Sequence, residues 1–363
     1  YSEVKLTKID LYIIKRFLGA FMLALGLFTV IIIVFDVSEK IDEFIENKAP
    51  FYEIIFNYYV NWIPFLLNLF SPVFVFISVI FFTSKMTQNS EIIAILASGV
   101  SYKRLLVPYA ITSTFLALFS FMLSAWVIPM ADKTRVDFEN TYIRDRTHYS
   151  QSQLKTQISP GNILSIGNFS LSDSVIYKVS LEYFKNGELK SKLYANRMNW
   201  NEKTEKWKLS RWWIRKFEDS TEVLCKGRFM DTMIPFNPED FFRQHDDVQM
   251  FNLSELDQMI SQEEMRGTGN TFFYSTEKFK RFLMPVAFVI LTFIGVSVST
   301  KKTRGGIGLN LGVGLLISFT FLLVFQFFLA YGSSGSMHPF IAAIIPNIIF
   351  GIVAFIMYRL AQK

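Results

Sequence analysis

Six apolar runs limit this chain more than any other feature. They are Leu18–Phe35, Asn61–Phe82, Leu105–Met130, Phe282–Ser299, Leu309–Ala330 and Phe340–Tyr358. Each is about 20 residues long, enough to cross the hydrocarbon core of a bilayer as a helix. Apolar residues make up 51% of the chain. They come in blocks and do not follow the periodic pattern by which a water-soluble protein buries them. The first run is too long for a signal-peptide core and no A-x-A site follows it, so it reads as a retained span. Between the third and fourth runs the composition turns to Lys, Glu, Asn and Ser. The pattern predicts a polytopic membrane protein, three helices on each side of one inserted soluble domain.

Lys and Arg at the span ends set the orientation. The N-terminal flank carries Lys5, Lys8, Lys15 and Arg16, and the loop after the second run carries Lys85, Lys103 and Arg104. The loop after the fourth run carries Lys301–Arg304, and the C-terminus Arg359 and Lys363. In contrast, Asp36–Glu53 has six acids against two lysines, and Tyr331–His338 has no Lys or Arg. Every second loop is basic, which predicts both termini in the cytoplasm and the inserted domain outside. Within residues 131–270 there are 20 Lys and Arg against 21 Asp and Glu. The excess positive charge therefore sits at the cytoplasmic helix ends, which argues against a nucleic-acid partner. Cys225 is the single cysteine. It cannot form an intramolecular disulfide, and it is expected as a small buried apolar residue.

After Asp132 the period becomes two. Val175–Phe184 and Leu189–Trp200 alternate on either side of Asn186-Gly187, the strongest short hairpin signal. Trp207–Phe217 continues the pattern. Two short strands flank Pro160-Gly161, and the stretch "EVLCKGRFMDTMIPF" gives one or two more. About eight strands in all suggest an antiparallel sandwich or jellyroll. Tyr183, Phe184, Tyr194, Trp200, Trp207, Trp212 and Trp213 fit core filling plus surface tryptophans, or an apolar groove for a lipid tail. A helix capped by Ser254 and ended by Gly267 is predicted to lead back to the membrane.

Sites for chemistry are scarce. There is no phosphate loop and no H-E-x-x-H, and His148, His245 and His338 are scattered. The triplet His245–Asp247 reads as a solvated surface loop in preference to a metal site. The glycines of Thr303–Gly314 lack the preceding strand of a dinucleotide site and suit close helix packing. Polar residues within the spans are Asn61, Asn68, Asn310, Gln326 and Asn347, all uncharged. An ion-coupled transporter ordinarily needs intramembrane acids or bases. Energy for any transport is therefore expected from an ATPase on a separate chain, and no cofactor or metal is expected here.

The loop stretch "QNSEIIAILASGVSYKRLL" (Gln88–Leu106) is the one cytoplasmic element substantial enough for such a partner. Ser90 suits an N-cap, Glu91 the positive helix end, and Gly99 the stop. Ile92, Ile95 and Leu96 share a face. A helix this short lies on the membrane surface or plugs into a groove on a partner.

"SEIIAILASGVS" resembles the coupling-helix motif of the LptF/LptG permeases, membrane subunits of the lipopolysaccharide-exporting ABC transporter. "IDLYIIKRFLGAF" resembles the opening of that family and leans toward its LptG type. "NLSELDQMI" with "STEKFKRFLMPVA" resembles its re-entry into the fourth helix. The resemblance implies a membrane α-helical fold of six transmembrane helices (3+3) with an inserted all-β periplasmic jellyroll-like domain. The divisions are residues 1–132, 133–252 and 253–363. It implies ATPase coupling through Glu91, Ile92, Ile95, Ala97, Ser98 and Gly99. It also implies a cavity lined by the first and fifth helices, with Phe35, Lys40, Phe325 and Gln326 against the lipid. The acidic "FDVSEKIDEF" departs from members that carry basic residues there, which weakens the expected phosphate contact of Lys40. The implied partners are a second homologous permease, a cytoplasmic ABC ATPase dimer, a periplasmic jellyroll bridge protein, and lipopolysaccharide in the bacterial inner membrane. The rival reading is a membrane scaffold or mechanotransmission subunit that acts on a periplasmic partner without passing lipid.

Overall fold

The computed structural model describes residues 7–143, 152–170, 175–201, 204, 206–218, 221–234, 245–266, 270–300 and 306–361. His148, Gly267, the Lys301–Arg304 run and the side chains of His245–Asp247 lie outside the described residues. The chain divides into two compact units. One comprises residues 1–142, 249–253 and 272–363, and the other residues 143–248 and 254–271.

The first unit is helical. α1 (Lys8–Glu46) opens on a capping box, in which Asp10 N donates to Thr7 Oγ1 and Thr7 N donates to Asp10 Oδ2. α2 (Phe51–Gln88) follows, then the short α3 (Glu91–Ala97) and α4 (Tyr102–Tyr142). At 1.5 Å per residue the 39 residues of α1 make a rod of about 58 Å, nearly twice a bilayer core of about 30 Å. The apolar runs therefore mark only the middle of each long helix. α2 and α4 each contain one π-helical stretch, Ile54–Tyr59 and Leu123–Val127.

Among the described residues five helices are long and apolar enough to cross a membrane: α1, α2, α4, α8 (Gly306–Ser333) and α9 (Pro339–Ala361). The sixth run, predicted as one helix from Phe282 to Ser299, is broken. α6 (Thr271–Leu283) and α7 (Val286–Ser299) meet at 46° and are together long and apolar enough for a broken sixth span. Pro285 stands at the break, where it has no N–H to continue the helical ladder.

Three of the five polar residues of the spans join helices to one another, while Asn61 bonds carbonyls of its own helix. Asn310 Nδ2 donates to Ser84 Oγ at 2.9 Å, and Ser120 Oγ donates to Asn68 Oδ1 at 2.6 Å. Asn347 Nδ2 donates to the Leu283 carbonyl at 2.9 Å. Between helices in lipid there is no hydrophobic driving force, so packing and such bonds hold the bundle. Of the glycines expected to pack closely, Gly314 does so: a Cβ there would meet Ile80 at 2.3 Å, whereas Gly308 and Gly312 have open space.

The second unit is built on one six-stranded sheet in the order β1-β2-β3-β4-β5-β6, every pair antiparallel. The strands are β1 (Ser152–Ser159), β2 (Asn162–Ser170), β3 (Val175–Lys185), β4 (Glu188–Asn201), β5 (Lys206–Glu218) and β6 (Thr221–Thr232). The count is six among the described residues against about eight expected, because β3 to β6 run for 11 to 14 residues. The hairpin at Asn186-Gly187 is present, with φ of 55° and 80°. Those left-handed values at both central residues make a type I′-like turn, whose twist matches the strands it joins. Gly161 is fixed by close approach as well as by its φ of +79°, since a Cβ would sit 2.5 Å from the Phe184 carbonyl oxygen.

Leu164, Ile166, Ile176, Val179, Ala195, Met198, Trp207 and Leu209 bury one face of the sheet, with Trp200 and Trp212 packed against them. Trp213 stacks on Tyr194, their ring centroids 5.6 Å apart. Cys225 is exposed and not buried as expected. It lies on the edge strand β6, where every side chain from Thr221 to Lys226 is exposed. α5 (Leu253–Arg266) follows the sheet. It starts one residue before Ser254, which places that serine inside the first turn and not at the cap.

Candidate functional site

α3 is a seven-residue helix between α2 and α4. Ser90 does not cap it. Its φ of 63° is left-handed and its side chain makes no cap hydrogen bond, because the chain turns sharply out of α2 at that residue. The C-terminal end follows the sequence: Ser98 N bonds back to the Ala94 carbonyl, and Gly99 takes a φ of +91°.

The two faces of α3 differ. Ile92 is fully buried in a core shared with Ile13 and Phe17 of α1, Met86 of α2 and Leu105 of α4. Ile95 and Leu96 pack against the same core. Ile93, Ala94, Ala97, Ser98 and Gly99 are exposed. Of the residues predicted to couple, Ala97, Ser98 and Gly99 thus lie on the open face, while Ile92 and Ile95 anchor the helix from below. Apart from Ile93, the side chains of the open face are small.

Glu91 is half-buried and already engaged. Tyr12 of α1 donates its hydroxyl to Glu91 Oε2 at 3.0 Å, and Asn89 Nδ2 donates to Oε1 at 3.2 Å. Beside it, Arg104 forks onto Asp10. Nη1 reaches Oδ1 at 2.8 Å and Nη2 reaches Oδ2 at 2.5 Å. Bidentate charge-assisted pairs of this kind fix direction as well as distance. Tyr12 and Asp10 were not singled out from sequence, and Arg104 entered only as a charge that sets orientation. The Thr7-x-x-Asp10 capping pattern is the one local signal that could have marked the place, since the partners lie 79 and 94 positions along the chain.

The four residues expected against lipid separate into two pairs. Phe35 (73% exposed) and Gln326 are on the outer surface. Phe325 is buried in the helical core, stacked on Phe321 with centroids 5.6 Å apart. Lys40 is turned inward: its ammonium lies 3.1 Å from Asp36 Oδ1, hydrogen-bonds the Tyr58 hydroxyl, and sits over the rings of Tyr58 and Trp62. Asp36 is itself buried and accepts from Tyr58 at 3.1 Å and Tyr59 at 2.9 Å. The charge of Lys40 is thereby neutralised within the protein.

A separate crevice in the helical unit is lined by Asn68, Ser120, Ser124, Gln249, Glu277 and Lys280, among others. At about 40 Å³ it has room for a few waters and not for a lipid. No cluster of three His, Cys, Asp or Glu side chains that would hold a metal occurs among the described residues.

Long apolar helices before and after an inserted antiparallel sheet in chain order, with a short helix in the loop between the second and third of them, define a polytopic membrane protein. The sequence model of the family described as lipopolysaccharide export system permease LptF/LptG matches residues 11–360. The chain belongs to that family. It is accordingly a transmembrane permease of an ABC-type lipopolysaccharide export system, a transport subunit and not an enzyme. No curated protein matches it.

Proposed function

We propose that the chain extracts lipopolysaccharide from the inner membrane as one of two homologous permeases. It passes the lipid to a periplasmic jellyroll bridge toward the outer membrane, driven by a cytoplasmic ABC ATPase dimer. In this reading both termini are cytoplasmic and the sheet is periplasmic. The divisions at residues 132/133 and 252/253 separate the first membrane half, the lipid-passing β domain and the returning half. α3 is the docking helix. Ala97, Ser98 and Gly99 contact the ATPase, Ile92 and Ile95 hold the helix in place, and Glu91 stands at the rim. Phe35 and Gln326 meet the lipid, with Lys40 and Phe325 behind them.

The observation that carries this reading is the split of α3 into an apolar face set into its own protein (Ile92, with Ile95 and Leu96) and an exposed face of Ile93, Ala94, Ala97 and Ser98. A helix that only lay on the membrane would turn its apolar face to the lipid and not into its own protein.

The test is co-purification of the ATPase with the full chain after Glu91→Lys and, separately, Ala97→Arg. Both should strip the ATPase from the complex and stop lipopolysaccharide-dependent growth. If both variants keep the ATPase bound and the cells growing, α3 is not the docking helix. Photo-crosslinkers at Phe35 and Gln326 should give lipid adducts. Their absence would leave the scaffold reading in possession.

A further inference from the structure

α1 is tied by directional bonds at its two ends; between them it rests on α2 through Phe28, which packs on Phe70 and Phe74, and leaves its other side open. At the start, Arg104 forks onto Asp10 and Tyr12 bonds Glu91, while Ile13, Phe17 and Phe21 enter the core that also holds Ile92. At the far end, Asp36 is gripped by Tyr58 and Tyr59, Phe44 packs on Tyr58 and Phe138, and Asn47 Nδ2 reaches the Tyr142 carbonyl at 2.8 Å. In between, Met22, Leu23, Leu27, Val30, Ile31 and Val34 are all more than half exposed. Asp10 and Asp36 are 26 positions apart, about 39 Å along a helix that is stiff to axial load. Tyr58 and Tyr59 belong to the π-helical stretch Ile54–Tyr59, a local widening of the kind found where helices do work.

We propose that α1 is a push rod. Displacement of α3 by a docked partner is carried through Tyr12 and the Asp10–Arg104 fork into α1, and delivered about 39 Å away to the Asp36–Tyr58–Tyr59 cluster. Tyr12, Asp10 and Asp36 are positioning residues: none need touch the ATPase or the lipid. The geometry favours this over transmission through the core alone, because directional bonds resist a tilt or slide that apolar contacts between helices permit. The inference rests on α3 being the docking helix.

The experiment uses the full chain assembled with its second permease and ATPase in liposomes. It measures three quantities: ATPase retained, ATP hydrolysed, and lipopolysaccharide released per ATP. Tyr12→Phe removes one hydroxyl, Asp10→Asn weakens the fork, and Asp36→Asn loosens the far clamp. Each should leave the ATPase bound and hydrolysing. Each should also lower the lipid released per ATP by at least about fivefold, the low end of coupling between distant sites. Asp10→Arg alone should uncouple, and adding Arg104→Asp should restore most of the loss. That recovery would not follow if Asp10 merely aided folding of α1. The push rod is refuted if lipid per ATP stays at the wild-type value in all three variants, or if they lose the ATPase along with transport. Failure of the docking reading looks different: there Glu91→Lys and Ala97→Arg keep the ATPase bound.

Discussion

Arg135 on α4 offers a quantitative test of how the helical unit tolerates buried charge. Its Nε donates to Asp132 Oδ1 at 2.6 Å and its Nη1 to Glu139 Oε1 at 2.5 Å. The three side chains are 10%, 0% and 9% exposed, so water supplies little of their solvation. Asp132 Oδ2 has no hydrogen-bond partner among the described residues, which makes Asp132 depend heavily on the guanidinium. Arg135→Met keeps much of the side-chain length and removes the charge, so the fully buried Asp132 carboxylate loses the guanidinium it depends on. Breaking a buried pair in this way costs about 3–5 kcal/mol. At about 1.4 kcal/mol per decade, amides of the last turns of α4 should exchange hydrogen roughly 10² to 4 × 10³ times faster, up to the limit set by whole-helix opening. Hydrogen exchange read by mass spectrometry on the detergent-solubilised chain measures this directly. Replacing all three by apolar residues, Asp132→Leu with Arg135→Met and Glu139→Leu, should recover the protection, since well-packed apolar substitutes for a buried ion cluster are often neutral or better. A change below about tenfold in Arg135→Met, or a triple variant as labile as the single one, would show that desolvation does not govern this cluster.

Two further substitutions separate the two units. Trp207 is fully buried in the sheet core, its ring 5.0 Å from that of Trp200. Trp207→Ala should destabilise the β unit by about 3–5 kcal/mol and sharply raise protease cleavage within residues 152–232 of the full chain, while helix content stays unchanged. In the helical unit, Asn310→Ala removes the bond to Ser84, and the expected loss in a denaturant titration in bicelles is only about 0.6 kcal/mol. A loss above about 2 kcal/mol would mean that this asparagine does more than join α8 to α2.

What the sequence made legible was whatever rests on spacing. Apolar runs of span length located the membrane helices, and period-two alternation around Asn186-Gly187 located the central hairpin to within two residues. Runs of hydropathy could not report the polar extensions of α1 and α4, because a helix that leaves the membrane loses its apolar signature and keeps its backbone hydrogen bonds. The break at Pro285 was missed for a related reason, as hydropathy continues smoothly across it. In α3 the stop at Gly99 was readable, because a left-handed residue favours glycine. The start was not, because Ser90 has the chemistry of a cap while the turn out of α2 imposes a conformation that prevents capping. The hydrogen-bonded clamps of α1 join residues 22 to 95 positions apart. Such pairings depend on which helices become neighbours, and no local pattern carries that information.

The sheet has a consequence for how the chain is made. Its strand order is its chain order, so each ladder closes as soon as the next strand exists and none waits for a later segment. Low contact order of this kind favours rapid folding, and domains form in sequence during synthesis. The meander can therefore be complete while α8 and α9 are still unmade. The second helical set then enters the bilayer behind a finished sheet, whose strands are already paired when the last spans arrive.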